Sequence, residues 1–362
     1  MIYRFCKICV VFILPIIALL TIFRGSLLYG GVFNMGDALF NNGFNYYQYF
    51  ASGASLIAQS ILAGFPIFST VSGIWFNPIT QVGIHALGPI HGYVFVDLIQ
   101  VICAHVAMYF FLRVFGISRR AAIASASIYI FSGQLMSWVE LPYFTSCYLV
   151  LPAVFLCIEK AHRSSAIRKL AWSVGAGIFL AWSWLSGHPQ YVIYTHILLS
   201  VYWIIREWSV FRTHQTRVRA WILISFVCVM VISYIGGYPQ IQSILHANTS
   251  SSRSTGLQLT DYWSDALYPQ DIIHFFSPFF HIQGVPFSGL NLYIGILPLV
   301  LLVCGFMLRK KIIAATNNST VIHFFSYTFL FSFVYSFKYS PVAYLFYYAP
   351  LFSAFRNVSR MM

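Results

Sequence analysis

One aspartate stands in the stretch Asn34-Met-Gly-Asp-Ala-Leu-Phe40, in a chain with only eight acidic residues among 362. Asp37 follows closely on a long apolar run. An ionised carboxylate beside a bilayer is unfavourable unless water, a metal or another cation attends it. So placed, it can assist an attacking hydroxyl as a base or hold a divalent cation. Its structural alternative is an interfacial capping or turn acid. Arg253, Arg356 and Arg360 offer forked guanidinium donors that suit a phosphate. Arg356 and Arg360 are four apart, so on a helix they share one face and can clamp an anion. Anchoring to lipid headgroups accounts for each arginine singly. His188 and Gln190, in Ser186-Gly-His-Pro-Gln190, can hydrogen-bond hydroxyl groups, or the Gly and Pro simply make the turn.

Other acids carry weaker signals. Asp261, Asp265 and Asp271 lie among Tyr262, Trp263 and Phe275. Asp261 and Asp265 have helical spacing for a metal pair, but calcium-loop and HExxH patterns are absent, and a solvated loop is the default for all three. Asp97 lies about two turns into an apolar segment, where a carboxylate must be paired or face a polar cavity. His85, His91, His246, His274 and His281 show no ligand spacing.

The elements that must position these residues follow from composition. Apolar residues make up 59% and charged residues 8%, with a mean hydropathy of +0.76; soluble domains carry about 25% charged residues. This is the composition of an all-α integral membrane protein. The aromatic share of 19% suits belts at headgroup level. A net charge of +13 arises from basic residues between apolar runs, so it sets orientation and implies no nucleic acid. The seven cysteines lie in or beside apolar runs and read as small hydrophobes. Cys6 and Cys9 lack the second ligand pair of a zinc site; lipidation is the remaining option.

Nine stretches approach the ~20 residues needed to span a bilayer. They run at about 8–23, 92–115, 121–138, 143–158, 170–186, 191–205, 220–236, 292–308 and 321–337. The first resembles a signal-peptide core, but no small-residue cleavage site follows, so it reads as a retained helix. Placing the N-terminus inside puts 16 of the 21 Lys and Arg on the cytoplasmic side: Arg4, Lys7, Arg113, Arg119, Arg120, Lys160, Arg163, Arg168, Lys169, Arg206, Arg212, Arg217, Arg219, Arg309, Lys310 and Lys311. The alternation needs no forced inversion. The expectation is one transmembrane domain over 1–362, with extracytoplasmic loops at about 24–91 and 237–291 and an external C-terminal segment at about 338–362. Long ordered loops usually carry function. In the first, Tyr47, Phe50, Ala54, Ile57 and Ile61 recur at helical spacing. That predicts an amphipathic helix lying on the membrane or over the protein's own core, ended by Gly64-Phe-Pro66.

Gly36-Asp37, Gly64-Phe-Pro66 and Trp75-Phe-Asn-Pro78 together resemble the first external loop of the bacterial YfhO-type membrane family, of the GT-C class of glycosyltransferases. Further matches are Phe131-Ser-Gly133, Leu151-Pro152 before Glu159, Gly187-His-Pro-Gln190, Ser252-Arg253, Tyr293-Ile-Gly-Ile-Leu-Pro298 and Phe355-Arg-Asn-Val-Ser-Arg360. They run in the family's order across nearly the whole chain. Such proteins commonly have further spans after the arginine motif, so a fragment, a C-terminally truncated copy or a degenerate copy is expected.

The resemblance implies a GT-C-like fold with an external site, and transfer of a sugar from a polyprenyl-phosphate carrier to a cell-envelope glycan, polymer or lipid acceptor. It implies a multi-pass protein of the bacterial cytoplasmic membrane. Asp37 matches the family's first-loop acid, as base or as ligand to Mg or Mn. His188 and Gln190 would meet the sugar, and Arg253, Arg356 and Arg360 the carrier phosphate. The competing classes are a lipid or sugar-lipid flippase and a non-catalytic membrane subunit. A flippase predicts several mid-span ionisable groups and broken helices in related halves.

Overall fold

The structure, a computed structural model, describes residues 13, 15–25, 57–58, 65–66, 77–139, 141–186, 188–213, 216–249, 256–264, 266–277, 292–316, 318–349 and 352–354. Helix dominates them, as it must where lipid offers backbone groups no partner. Residues 15–22 are helical. There follow α1 (Pro78–Val114), α2 (Arg119–Ile130), α3 (Gly133–Ser137), α4 (Pro142–His162), α5 (Ala166–Ser186), α6 (Pro189–Thr213) and α7 (Thr216–Thr249). The later helices are α8 (Leu259–Tyr262), α9 (Ile296–Met307), α10 (Arg309–Thr316), α11 (Ser319–Ser336) and α12 (Pro341–Tyr347), with 3-10 turns at Pro269–Phe275 and Phe352–Ala354.

Among the described residues three helical stretches are long and apolar enough to cross a membrane: His91–Val114, Pro142–His162 and Thr216–His246. Several expected spans differ in extent. The stretch 121–138 is not one helix: α2 ends at Ile130, and α3 begins only at Gly133. The stretch 292–308 contains 12 helical residues, beginning at Ile296 after Gly295 in the left-handed region at φ 95°. The stretch 220–236 continues as helix through Pro239 to Thr249. The predicted surface helix does not run through Ile57. Ile57–Ala58 is extended and pairs antiparallel with Phe65–Pro66, Ile57 opposite Pro66. Pro66 ends a helix but is tolerated at the edge of a two-stranded pairing, where no further strand needs its missing N–H. The other residues of that predicted helix lie outside the described residues.

Contacts divide the chain into two compact units. One comprises Met1–Ile130, Trp138–Val192 and Leu223–Ile244; the other comprises Phe131–Ser137, Ile193–Ile222 and Leu245–Met362.

In the first unit, α1 starts where Asn77 accepts a hydrogen bond from Ile79 N at 3.0 Å and Pro78 takes the first helical position. The Asn77-Pro78 pair of the Trp-Phe-Asn-Pro motif is therefore a helix-start signal. At Gly88 the backbone leaves helix, with φ 77° and ψ 172°, and the arm before it folds back on the arm after it. A Cβ on Gly92 would lie 2.6 Å from the carbonyl oxygen of Gly83, so glycine is required at this crossing. α4 runs parallel to the long arm of α1, with Phe155 5.7 Å from Phe111 and Arg163 5.5 Å over Phe115. Fifteen of its 21 residues are buried, which makes it the centre of this unit. α5 returns antiparallel to α4. α7 lies along α5 at backbone range: added Cβ atoms would come 2.8 Å from Ile232 at Gly177 and 2.7 Å from Ala181 at Gly236. The outer face of α7, with Leu223, Val227 and Ile235 exposed, is apolar as a lipid-facing surface must be.

In the second unit the segment 256–277 is built onto α11 and α12. Tyr262, Trp263, Ala266, Tyr335 and Ala343 form its buried core. Leu267 makes a parallel bridge with Phe337 through Leu267 N to Ser336 O at 2.8 Å and Lys338 N to Leu267 O at 2.7 Å. Asp271, expected to be a solvated loop acid, is fully buried. Its Oδ2 accepts from Tyr268 N at 2.7 Å and closes the start of the 3-10 turn, while His274 Nδ1 lies 4.0 Å from its Oδ1. A carboxylate in the first turn gains from the exposed backbone donors there, which explains its burial. Asp261 is exposed on the single turn α8, which stops at Tyr262.

Candidate functional site

Two of the expected site residues, His188 and Gln190, are described; Asp37, Arg253, Arg356 and Arg360 lie outside the described residues, and so does Asp265. His188 sits just before Pro189 opens α6, and its carbonyl accepts Val192 N at 3.1 Å to close the first turn. The turn reading therefore applies to this residue. The backbone of His188 starts a helix, which fixes where its ring can go.

That ring lies on Phe144 of α4, with centroids 5.7 Å apart and planes 8° from parallel. Tyr191 stands edge-on to both rings, at 6.0 Å from His188 and 5.4 Å from Phe144. Tyr143 lies 6.2 Å from His188, and Trp138 packs 4.9 Å from Phe144. Leu141 and Phe144 form the buried floor of this group. The histidine is half-buried, whereas Gln190, one residue past Pro189, is buried at 3% exposure. Sequence reading singled out the Gly-His-Pro-Gln turn but not the aromatic partners, which come from the start of another helix 44 residues earlier in the chain. The cluster Trp138, Tyr143 and Phe144 at the head of an apolar run was the available signal.

One turn into α4 the same end of the unit turns polar. Asp97 and Gln100 on α1 and Thr145 and Ser146 on α4 are all essentially inaccessible. Thr145 Oγ1 donates toward Asp97 Oδ1 at 3.2 Å, toward Gln100 Oε1, and toward Pro142 O at 3.1 Å. A threonine hydroxyl has one proton, so it serves these three acceptors in alternation. The expectation that Asp97 is paired is met by a hydroxyl on a neighbouring helix. Alongside, Ser186 donates to Trp182 O at 2.8 Å, which leaves Ser146 to donate to Ser186. Among the described residues Gln100 Nε2, Asn77 Nδ2 and Thr80 Oγ1 are buried without a hydrogen-bond partner. Each such group is unfavourable by roughly 1–3 kcal/mol in a dry interior.

The opposite end of the unit is basic. Arg113 closes α1 by donating to Ile117 O, Arg119 and Arg120 open α2, and Lys160 and Arg163 end α4, with Arg163 Nε 3.5 Å from Glu159. Cations at helix C-termini complement the helix dipole. The unit thus has a cationic end and an aromatic, hydroxyl-rich end, with apolar helix between them.

Among the described residues no group of three or more His, Cys, Asp and Glu is placed to hold a metal ion. No protein-family model, curated protein or solved structure matches this chain.

Proposed function

We propose that this chain is a GT-C-type glycosyltransferase of the bacterial cytoplasmic membrane, moving a sugar from a polyprenyl-phosphate carrier to a cell-envelope acceptor at the extracytoplasmic face. The observation that carries the reading is the placement of His188 over Phe144, with Tyr143 and Tyr191 also against the imidazole and Trp138 against Phe144. Aromatic faces beside a hydrogen-bonding imidazole suit a ligand with apolar C–H faces and many hydroxyls, which is a sugar. The family-ordered motifs lead to the same place, because Gly187-His-Pro-Gln190 is one of them. Chemistry on the outer face makes physical sense of a lipid-linked donor, which arrives through the bilayer where nucleotide sugars are not supplied.

In this reading Asp37 assists the attacking hydroxyl, with Mg or Mn held there if it acts as a ligand. Arg253, Arg356 and Arg360 take the departing phosphate. The test is sugar transfer from a radiolabelled polyprenyl-phosphate sugar in proteoliposomes. Asp37→Asn keeps size and insertion while removing the charge, and transfer should fall by roughly 10²–10⁴-fold. Near-normal transfer by the inserted variant would sink the assignment.

A second reading, a lipid or sugar-lipid flippase, is favoured by two observations: the break of α1 at Gly88 and the buried cluster of Asp97 and Gln100, further along the same helix, with Thr145. Irregular backbone and ionisable groups at membrane depth accompany substrate pathways. Movement of a fluorescent lipid-linked sugar across vesicles without any acceptor, abolished by Asp97→Asn and indifferent to Asp37→Asn, decides for it.

A further inference from the structure

Lys338 lies two residues past the end of α11, and its position is fixed more firmly than a surface lysine requires. Its backbone N–H is bound to Leu267 O, and Leu267 N–H to Ser336 O. Its ammonium donates to Tyr268 Oη at 2.9 Å. It lies 4.6 Å from the centroid of the Tyr268 ring and 5.6 Å from that of Tyr339. Two aromatic faces and a phenol therefore hold a cation, and among the described residues no carboxylate is paired with it. The nearest acid in the segment, Asp271, is committed to Tyr268 N and turned toward His274. The hydrogen bond to Tyr268 holds the lysine pKa above its ordinary value, so the charge persists throughout the physiological range.

The donor count gives this corner its chemistry. An ammonium has three N–H donors and no acceptor; Tyr268 uses one. Because Tyr268 Oη accepts that bond, its own O–H is left to donate outward. The pair thus offers two N–H groups, one O–H and a full positive charge, a set that answers an anion with several oxygens. Tyr339, the next residue, is 75% exposed, and along α12, which begins three residues after Lys338, Leu345 is 72% exposed with Tyr344 also open, as is Tyr348 just past its end. A fixed cation against an exposed aromatic and aliphatic shelf matches a ligand that is charged at one end and hydrocarbon at the other.

We propose that Lys338 and Tyr268 form a binding site for the phosphate group of a membrane lipid phosphate, whose hydrocarbon chain lies over Tyr339 and α12. On the glycosyl-transfer reading above, on which only the identity of the lipid rests, this is the carrier phosphate of the donor. The arrangement gives that phosphate an anchor apart from the three arginines.

The test uses the full chain in a neutral detergent, with dodecyl phosphate as probe. Binding is followed by ³¹P line broadening and by the fluorescence of Trp263, whose ring lies 5.9 Å from Tyr339. Lys338→Gln should weaken binding about tenfold or more, since a charge-assisted hydrogen bond is lost. Lys338→Arg should stay within about threefold, and Tyr268→Phe should weaken binding about two- to fivefold. Inorganic phosphate at equal concentration should not displace the probe. Unchanged affinity in Lys338→Gln with an unaltered melting temperature overturns the site. Should that variant fail to fold, unchanged affinity in Tyr268→Phe does the same. Equal displacement by inorganic phosphate overturns the lipid assignment. Wild-type protein that binds the probe through Lys338 yet transfers no sugar refutes the glycosyltransferase reading alone. Sugar transfer alongside Lys338-independent binding refutes only the present one.

Discussion

Each unit buries a hydroxyl network, and the two are balanced differently. In the second unit Tyr262 Oη donates to Ala343 O at 3.1 Å, which leaves Tyr335 to donate to Tyr262 at 3.0 Å and Tyr194 to donate to Tyr335 at 3.4 Å. Three phenol protons thus have three acceptors, and the relay ends on a backbone carbonyl. In the first unit one threonine proton faces a carboxylate, a carboxamide oxygen and a backbone carbonyl, and amide and hydroxyl groups nearby are left over. A closed network orders structure: the tyrosines fasten the segment 256–277 to α11 and α12. An unbalanced one keeps hydrogen-bonding capacity at a level of the chain where it is unfavourable for stability. The two networks therefore differ in the charge and the number of acceptors that their protons serve.

The contrast can be broken by removing one hydroxyl from each network. Thr145→Val is nearly isosteric and takes the shared proton from Asp97. Because the acceptor set includes a carboxylate, the loss should be about 1.5–3 kcal/mol, read as a lowered denaturation midpoint in detergent. Tyr335→Phe interrupts a chain of neutral phenols and should lose about 0.5–1.5 kcal/mol, read in the same way. Equal losses in the two variants would mean that the networks do the same work, and the distinction drawn here would fall.

The smallest effect concerns pH and sharpens the account of the closed network. Burial pushes the Tyr262 phenol up to about 12, with the Tyr335 hydrogen bond opposing and Tyr194 adding to the rise. The folded protein therefore keeps a proton that an unfolded tyrosine releases near its ordinary value of about 10. The resulting stability is fully present below about pH 10 and is lost as pH rises toward about 12. In Tyr262→Phe the fall in melting temperature across that window should be shallower than in wild type. Superimposable alkaline profiles would show that Tyr262 does not titrate with unfolding.

Much of the helical framework was legible in the residues. Asn77-Pro78 opens α1 and Pro142 opens α4, because capping and proline geometry act within one turn. Among the described residues most of the apolar runs are helical, since a segment in lipid must satisfy its own backbone, although 121–138 is broken after Ile130 and 292–295 precedes its helix. His188 and Gln190 were legible as a polar turn between two such runs. Their partners were not: Phe144 reaches His188, and Thr145 reaches Asp97, from another helix. An apolar run with an occasional hydroxyl looks the same whether that hydroxyl faces lipid, a neighbour or a ligand.

The break in α1 at Gly88 shows the same limit. Gly88-Pro89 signals a turn, but only the approach of Gly83 to Gly92 makes it a fold-back of one helix arm on the other. The buried Asp271 shows it again, since a loop acid is solvated by default until a particular turn offers it a backbone N–H.

By itself, then, the sequence determined the class of the protein and the position of most helices. Those follow from composition and from interactions within four residues along the chain. Tertiary structure alone decided which helices lie side by side and in which direction. It thereby brought His188 onto Phe144, gave Asp97 the hydroxyl of Thr145 and held Lys338 against Tyr268. Each of these pairings joins residues at least 44 apart, and no local preference of either partner specifies the other.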